Sequence, residues 1–427
     1  MIRIRKNVVA LGTLTAAVAL LCGMPEASAQ TAPGAGSFPG SFLVPGTNTS
    51  LKIGGFVKLD VTYDIGPIQQ TGGVSSANLA LPNTFPHTQT HGFQVFAGES
   101  RFSFETRTPS AYGEIKTFID ADFQNPSGVT NAAALRVGTN SFGLRLRNAY
   151  ATIGPWLVGQ FSSNLTDPVI QAEALDTQGP VGLGGVKRVP QVRYTYLIPG
   201  GQSIGVGIES SEASITTQTG GTVTNTTLLT QVAGSNGVAK IPDPSIAYTI
   251  DQPWGRARIG ATLRNITLQN GAGFKRELWG YTVTAGARIP TFGKDAFITQ
   301  VIYGLGNSRD SDNSIGQDAL VNFTTGRARL LPTVGGMVGY MHYWTDTLRS
   351  SATMSYVRSF ASNEVVIIDA LNKYTTWGTV NLIWSPVPQV DTGIELIYDS
   401  RKIYKAANLN NTFAEAYRLQ FSTKVKF

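Results

Sequence analysis

Phe413-Ala-Glu-Ala-Tyr-Arg-Leu-Gln-Phe-Ser-Thr-Lys-Val-Lys-Phe427 is the stretch on which the fold turns. Tyr417, Leu419, Phe421, Val425 and Phe427 fall on one side of a period-two pattern, with Thr423 the weak member. Arg418, Gln420, Ser422, Lys424 and Lys426 fall on the other. Successive side chains of a strand point to opposite faces, so this strand has one apolar face and one basic, polar face. An aromatic final residue on such a strand suits lipid on one side and water on the other. In a soluble sheet the same alternation would face a protein core, and the rest of the chain has to decide between the two.

Composition narrows the choice. The 427 residues are 14% charged and 10% aromatic, with a mean hydropathy of -0.01, which is too apolar for a disordered chain. After the N-terminal segment no apolar run approaches the ~20 residues of a membrane helix. A bilayer-spanning chain of this kind must therefore use closed β pairing, because lipid satisfies no backbone group. Residues 1–29 read as a cleaved signal peptide: Arg3, Arg5 and Lys6 are followed by an apolar Val8–Leu21 stretch and the small residues Ala27-Ser28-Ala29, placing the mature start at Gln30. The single cysteine, Cys22, lies inside that leader, so the exported chain has no disulfide to rely on. Loss of three basic residues and Glu26 takes the formal net charge from +7 to +5, a mildly basic balance that hints at anionic cargo.

Residues 30–50 read as a short irregular lead-in, rich in Gly, Pro, Ser and Thr, and residues 51–427 as one barrel. Alternation starts with Leu51, Ile53, Val57, Leu59, Val61 and Tyr63 opposed to Lys52, Lys58, Asp60 and Thr62. Fifteen further two-faced segments follow, among them Gly92–Arg107, with Phe102 and Phe104 against Arg101, Ser103, Glu105 and Arg107. In Leu144-Arg145-Leu146-Arg147 the leucines point one way and the arginines the other. Tight connections such as Gly154-Pro155, Pro199-Gly200-Gly201 and Gln252-Pro253-Trp254 alternate without a lapse with long ones such as 164–188, 210–244 and 306–334. A sandwich or propeller has no reason to do this. An all-β, antiparallel up-and-down transmembrane barrel of sixteen strands does, with short periplasmic turns and long extracellular loops.

The polar faces of such a barrel line a lumen too wide for side chains to fill. Candidate lining residues are Arg101, Arg107, Lys116, Arg145, Arg147 and Arg193, with Lys58, Arg256, Arg258, Arg264, Arg288, Arg349, Arg401 and Arg418 in the same phase. Fewer acids share it, among them Glu99, Glu105, Glu114, Asp120 and Asp122. Guanidinium stays charged and matches a carboxylate with a fork of donors, so rings of it bias a pore toward anions. The alternative is that each arginine pairs with a lumenal acid and only stiffens the wall. The third long loop, 164–188, carries apolar residues and the acids Asp167, Glu173 and Asp176. It is expected to fold inward as a constriction, with its carboxylates across from the wall arginines.

Enzymatic chemistry is not indicated. His87, His91 and His342 are the only histidines; no phosphate loop, cysteine cluster or Ser/His/Asp arrangement stands out, so neither a catalytic residue, a metal nor a cofactor is expected. An outer-membrane enzyme is the alternative class, and a plugged transporter would need a plug domain ahead of the barrel.

Several stretches resemble the DcaP-like trimeric porins of Gram-negative outer membranes. They are Ser41–Asp60, Glu99–Arg107, Gly159–Ser163 with Leu175–Pro180, and Val380–Glu395 with Tyr398–Arg401. The resemblance implies a sixteen-stranded barrel, a homotrimer, and passive uptake of small organic acids such as dicarboxylates. Some members carry an N-terminal coiled coil, for which this sequence leaves no room. The expected partners are outer-membrane lipid, small anionic solutes and the barrel-assembly machinery, reached through the C-terminal strand ending in Phe427; nucleic acid is not among them. The expected function is a moderately anion-preferring diffusion porin, with a non-selective general porin as the alternative.

Overall fold

In the computed structural model, residues 34–68, 73–82, 91–125, 143–176, 179–180, 187–219, 222–229, 237–270, 272–311, 317–366, 371–404 and 411–427 are described. The leader and His87 lie outside them. Sixteen long strands carry the architecture. In chain order they are β1 (Ser50–Ile65), β2 (His91–Phe96 and Arg101–Ser110), β3 (Gly113–Asn125), β4 (Gly143–Ile153), β5 (Trp156–Ser162), β6 (Arg188–Ile198), β7 (Gln202–Glu209) and β8 (Asp243–Gln252). The second half comprises β9 (Gly255–Gln269), β10 (Lys275–Pro290), β11 (Ala296–Leu305), β12 (Pro332–Tyr343), β13 (Leu348–Ser359), β14 (Asn372–Val387), β15 (Val390–Ile403) and β16 (Phe413–Lys426). Each pairs antiparallel with the next, and β1 pairs with β16 from Phe56↔Lys426 to Ile65↔Tyr417, so the sheet closes on itself. Closure leaves no edge strand, which is what a membrane demands of a sheet.

Side-chain phase follows from that pairing. On β16, Tyr417, Leu419 and Val425 are exposed on the outer wall while Arg418, Gln420 and Ser422 are buried inside. The same holds on β1, where Val57, Leu59 and Tyr63 face out and Lys58, Asp60, Thr62 and Asp64 face in. Val158, Val206, Ile259, Val301, Val338, Val380 and Leu396 continue the apolar band around the wall. Tight turns lie at one end, as at Gly200 and Gly201, whose φ of 83° and 71° suit glycine between β6 and β7.

Three features differ from the sequence reading. The expected strand Gly92–Arg107 is interrupted, because Ala97–Ser100 against Val57–Leu59 is one residue too many for the ladder. The Ser100 hydroxyl repairs the gap by accepting from the Lys58 N–H at 3.0 Å and donating to the Lys58 carbonyl at 3.3 Å. The lead-in is not wholly irregular, since Phe42–Leu43 pairs with Ser50–Leu51. And the connections 210–244 and 306–334 are not plain loops: Glu212–Thr219, Thr222–Leu229, Ala319–Asn322 and Arg327–Leu330 make a second, four-stranded sheet.

The buried apolar core is built between long loops and one half of the inner wall. Ile68, Val74, Leu79 and Leu81 of the first loop cover Val357, Trp377, Ile397 and Ala416 of β13–β16. Ile170 of the third covers Ile298, Met337 and Met341 of β11 and β12. The second sheet rests Ile215, Ala319 and Val321 on Ile266 and Leu268 of β9. No such cluster among the described residues covers the inner face of β2–β6.

Candidate functional site: the channel interior

The third loop leaves the wall after Ser162, at the top of β5, and is held mainly by bonds to the inner face, with one from the first loop, where the Val74 N–H donates to Asp176 at 3.0 Å. Ser163 and the Asn164 N–H donate to the Glu209 carboxylate on β7, and the Asn164 carbonyl accepts from Arg258 at 2.7 Å. Leu165 O accepts from Thr284 at 3.0 Å, and Gln300 donates to Ile170 O. Further along, Glu173 takes a bidentate grip from Arg349, 2.6 Å to each oxygen. The Leu175 and Asp176 N–H groups donate to Glu395 on β15 at 2.8 and 3.0 Å, while Lys58 and Gln420 donate to Leu175 O. From β7 round to β1, the segment 163–176 is thus stitched across the lumen.

Its three acids are placed differently from the sequence expectation. Asp167 pairs with Arg256 at 2.7 Å, Glu173 with Arg349, and Asp176 with Arg418 at 3.7 Å. Those arginines lie on β9, β13 and β16, so each loop carboxylate is met by a cation at its own point of contact with the wall. Asp167, Glu173 and Asp176 are therefore tied to the covered half of the wall.

The other half is the uncovered arc β2–β6. The inner phase of β2 and β3 places Arg107 beside Lys116 near the turn, with Glu105 and Glu114 at 2.8 and 3.5 Å from Arg107. Above them Arg101 approaches Asp120 at 3.6 Å and Asp122 at 4.0 Å. On β4 the two-residue alternation sets Arg145 and Arg147 on the same side, a bulge at Arg147 turns Asn148 inward as well, and both arginines reach Asp122 at 2.7 Å. Asp120 instead accepts from the Asn148 backbone and side chain at 2.8 Å. Arg101, Arg107, Lys116, Arg145, Arg147, Asp120 and Asp122 are thus brought together. Arg193 on β6 stands apart, with no carboxylate partner among the described residues and its guanidinium 5.7 Å from the Phe161 ring centre.

Other sequence expectations are corrected. Arg264 and Arg418 do not line water: both side chains are wholly buried beneath folded loops. Arg418 is held by Asp64 at 2.6 Å. Arg264 bridges Asp243 of β8 at 3.3 Å and Asp318 of the connection 306–334, the sixth long loop, at 2.7 Å. Beside it Arg309, also buried, pairs with Asp243 at 2.9 Å and Asp310 at 2.8 Å. Arg309, Asp310 and Asp243 were missed because they lie in polar connections and pair over long sequence separations, and no local period marks them; Glu209, which also meets Arg309, shares the inward phase expected of its strand. Arg188, next to this arc at the start of β6, was missed because it sits at a loop-to-strand boundary. Of the histidines, His91 stacks on Tyr63 at 6.0 Å and His342 bonds Asp295 at 2.6 Å. Among the described residues no group of His, Cys, Asp and Glu is placed to hold a metal ion.

A family model described as "Porin subfamily" matches residues 38–424. No curated protein matches the chain. Among solved structures, the outer-membrane channel DcaP of Acinetobacter baumannii superposes with a TM-score of 0.73 at 20% identity, over 89% of this chain and 97% of that one. An anion-selective porin from Comamonas acidovorans gives 0.53 at 11% identity, over 89% and 100%. The trimer form of OmpT, an outer-membrane protein of Vibrio cholerae, gives 0.50 at 9% identity, over 89% and 99%.

Proposed function

We infer the function from one premise: this chain belongs to the Porin subfamily. It is an outer-membrane channel. We propose further that it conducts small hydrophilic solutes passively with a moderate preference for anions, small organic carboxylates and dicarboxylates among them. The observation that carries this is the charge on the uncovered arc. Arg101, Arg107, Lys116, Arg145, Arg147, Arg188 and Arg193 are seven cations against the four acids Glu105, Glu114, Asp120 and Asp122, an excess of three. The acids of segment 163–176 offset it only in part, because each has a guanidinium beside it: Arg256, shared with Asp251, Arg349, shared with Asp391, and Arg418, shared with Asp64. Fixed positive charge along a water-filled path raises the local concentration of anions and lowers that of cations.

The trimeric state of the OmpT form named above supports a homotrimer for this chain as well, with the apolar outer band facing lipid and neighbouring subunits. Cleavage of the leader at Gln30 and recognition of the Phe427 strand by the barrel-assembly machinery belong to the same reading. The test is the reversal potential of the purified protein in a planar bilayer under a tenfold KCl gradient. A potential of the sign set by chloride supports the reading, and a potential at zero would leave the non-selective porin.

A further inference from the structure

The inner face of a water-filled barrel has little use for aromatic rings, yet three lie side by side on the uncovered arc. Phe118 of β3, Tyr150 of β4 and Phe161 of β5 all point inward: their strand neighbours Ile119, Ala149 and Gln160 pair across the outer phase, and Ile119 is exposed on the lipid side. The ring centres are 5.7 Å apart from Phe118 to Tyr150 and 4.6 Å from Tyr150 to Phe161, both tilted, so the rings form one continuous strip across three strands. Gly159, opposite Tyr150, makes the strip possible. Its φ is +123°, and a Cβ there would lie 2.3 Å from the Ala149 carbonyl oxygen. All three rings are partly exposed, and the Tyr150 hydroxyl has no hydrogen-bond partner among the described residues.

Position and charge give the strip a use. Phe161 comes two residues before Ser163, where the third loop leaves the wall to cross the lumen, so the strip lies at the level of the constriction. At its end stands Arg193, which has no carboxylate partner among the described residues and whose Nε is buried without an acceptor. A guanidinium left unpaired beside a flat apolar surface fits a solute with both parts.

We infer that Phe118, Tyr150, Phe161 and Arg193 form a selecting strip for monoanions with a flat apolar body, typified by aromatic carboxylates. Resting on the anion-preferring reading above, the inference names a solute class within it. The ring of the solute slides over Tyr150 and Phe161 while its carboxylate meets Arg193. A hydrated inorganic anion of similar mobility gains only from the charge. Removing the rings should therefore change one ratio of permeabilities and leave another alone.

The experiment is bi-ionic reversal potential with potassium benzoate, potassium acetate and potassium chloride. It compares the wild type with the double variants Tyr150→Ser/Phe161→Ser and Tyr150→Leu/Phe161→Leu, the latter retaining apolar volume if the former does not fold. The benzoate-to-acetate permeability ratio is expected to fall roughly threefold in either variant, the order of one or two lost ring contacts. The chloride-to-potassium ratio is expected to stay within about 20% of the wild type, since the charges on the arc are untouched. Arg193→Gln should lower the benzoate and chloride ratios together. An unchanged benzoate-to-acetate ratio in a folded ring variant overturns the strip alone. A wild type with no chloride preference overturns the reading beneath it, and the two results cannot be confused.

Discussion

Asp122 shows why charge in this channel cannot be counted from arginines alone. Its carboxylate receives Arg145 through Nε at 2.9 Å and Nη2 at 2.7 Å, and Arg147 through Nη1 at 2.7 Å. Three charges at one point therefore leave a net of one positive. Exchanging both arginines for alanine removes two positive charges and leaves Asp122 with Arg101, 4.0 Å away, as its remaining cation. A unit charge ~8 Å from a permeating ion in water-like surroundings is worth about 0.5 kcal/mol, less after screening by salt. Arg145→Ala/Arg147→Ala is accordingly expected to lower the chloride-to-potassium ratio by about twofold to fivefold in the reversal-potential measurement. Adding Asp122→Asn should recover part of that loss. A double variant indistinguishable from the wild type would remove these residues from selectivity. The leucine–arginine alternation at 144–147 made their inward phase legible in the sequence, whereas no local pattern announces that both share Asp122, a residue of the neighbouring strand.

At the scale of elements, strands were legible where one face meets lipid and the other water, as on β1 and β16. Legibility failed where that contrast is absent. The hairpin formed by Glu212–Thr219 and Thr222–Leu229 has a Thr-rich sequence with little difference between its faces, and only the Gly220-Gly221 pair between Thr219 and Thr222 signals a two-residue turn. The parallel pairing of Ile215–Gln218 with Ala319–Asn322 joins loops about a hundred residues apart, which periodicity cannot reach. What fixes this second sheet to the wall is the buried group of Arg264, Arg309, Asp243, Asp310, Asp318 and Glu209. Removing one member of such a group leaves buried charge uncompensated, at a cost of about 3–5 kcal/mol. Arg309→Met should therefore free the sheet while the lipid-facing barrel persists. External protease would then cut within 306–331 in the variant but not in the wild type, with the heat-stable barrel band on a gel unchanged. Acid should act alike. Burial pushes the Asp310 carboxyl up, but the guanidiniums of Arg309 and Arg264 outweigh it and hold it below the usual carboxylate range. Its stabilisation is thus complete above the ordinary aspartate value of about 4 and is lost as pH falls through the lowered one. Protease sensitivity of the wild-type loop should appear only in strongly acidic buffer, and cleavage already at neutral pH would refute the anchor.

Taken whole, the molecule is a symmetric barrel with an asymmetric interior. One half of the inner wall is roofed by the loops after β1, β5, β7, β11 and β13, and the other half carries the guanidiniums and the aromatic strip. The barrel follows from a repeated two-residue pattern, and the sequence shows it plainly; the asymmetry follows from long-range packing, such as Ile68 against Trp377, and it does not. On the proposed function, solute passes two folded elements in series, the second sheet and segment 163–176. Resistances in series add, so removing the wider one changes the total little. Replacing residues 309–330 by Gly-Gly removes most of the sixth-loop half of the second sheet. Of the wall acids it leaves behind, Asp243 keeps Arg264 at 3.3 Å, while Glu209 loses Arg309 and keeps the hydrogen bonds from Ser163 and the Asn164 N–H. Single-channel conductance in 1 M KCl should therefore rise by less than about twofold, with the chloride-to-potassium ratio unchanged because the arc β2–β6 is intact. A several-fold rise would move the narrowest point from segment 163–176 to the second sheet. A change in ion preference at constant conductance would place selecting charge in the sixth loop instead of on the arc.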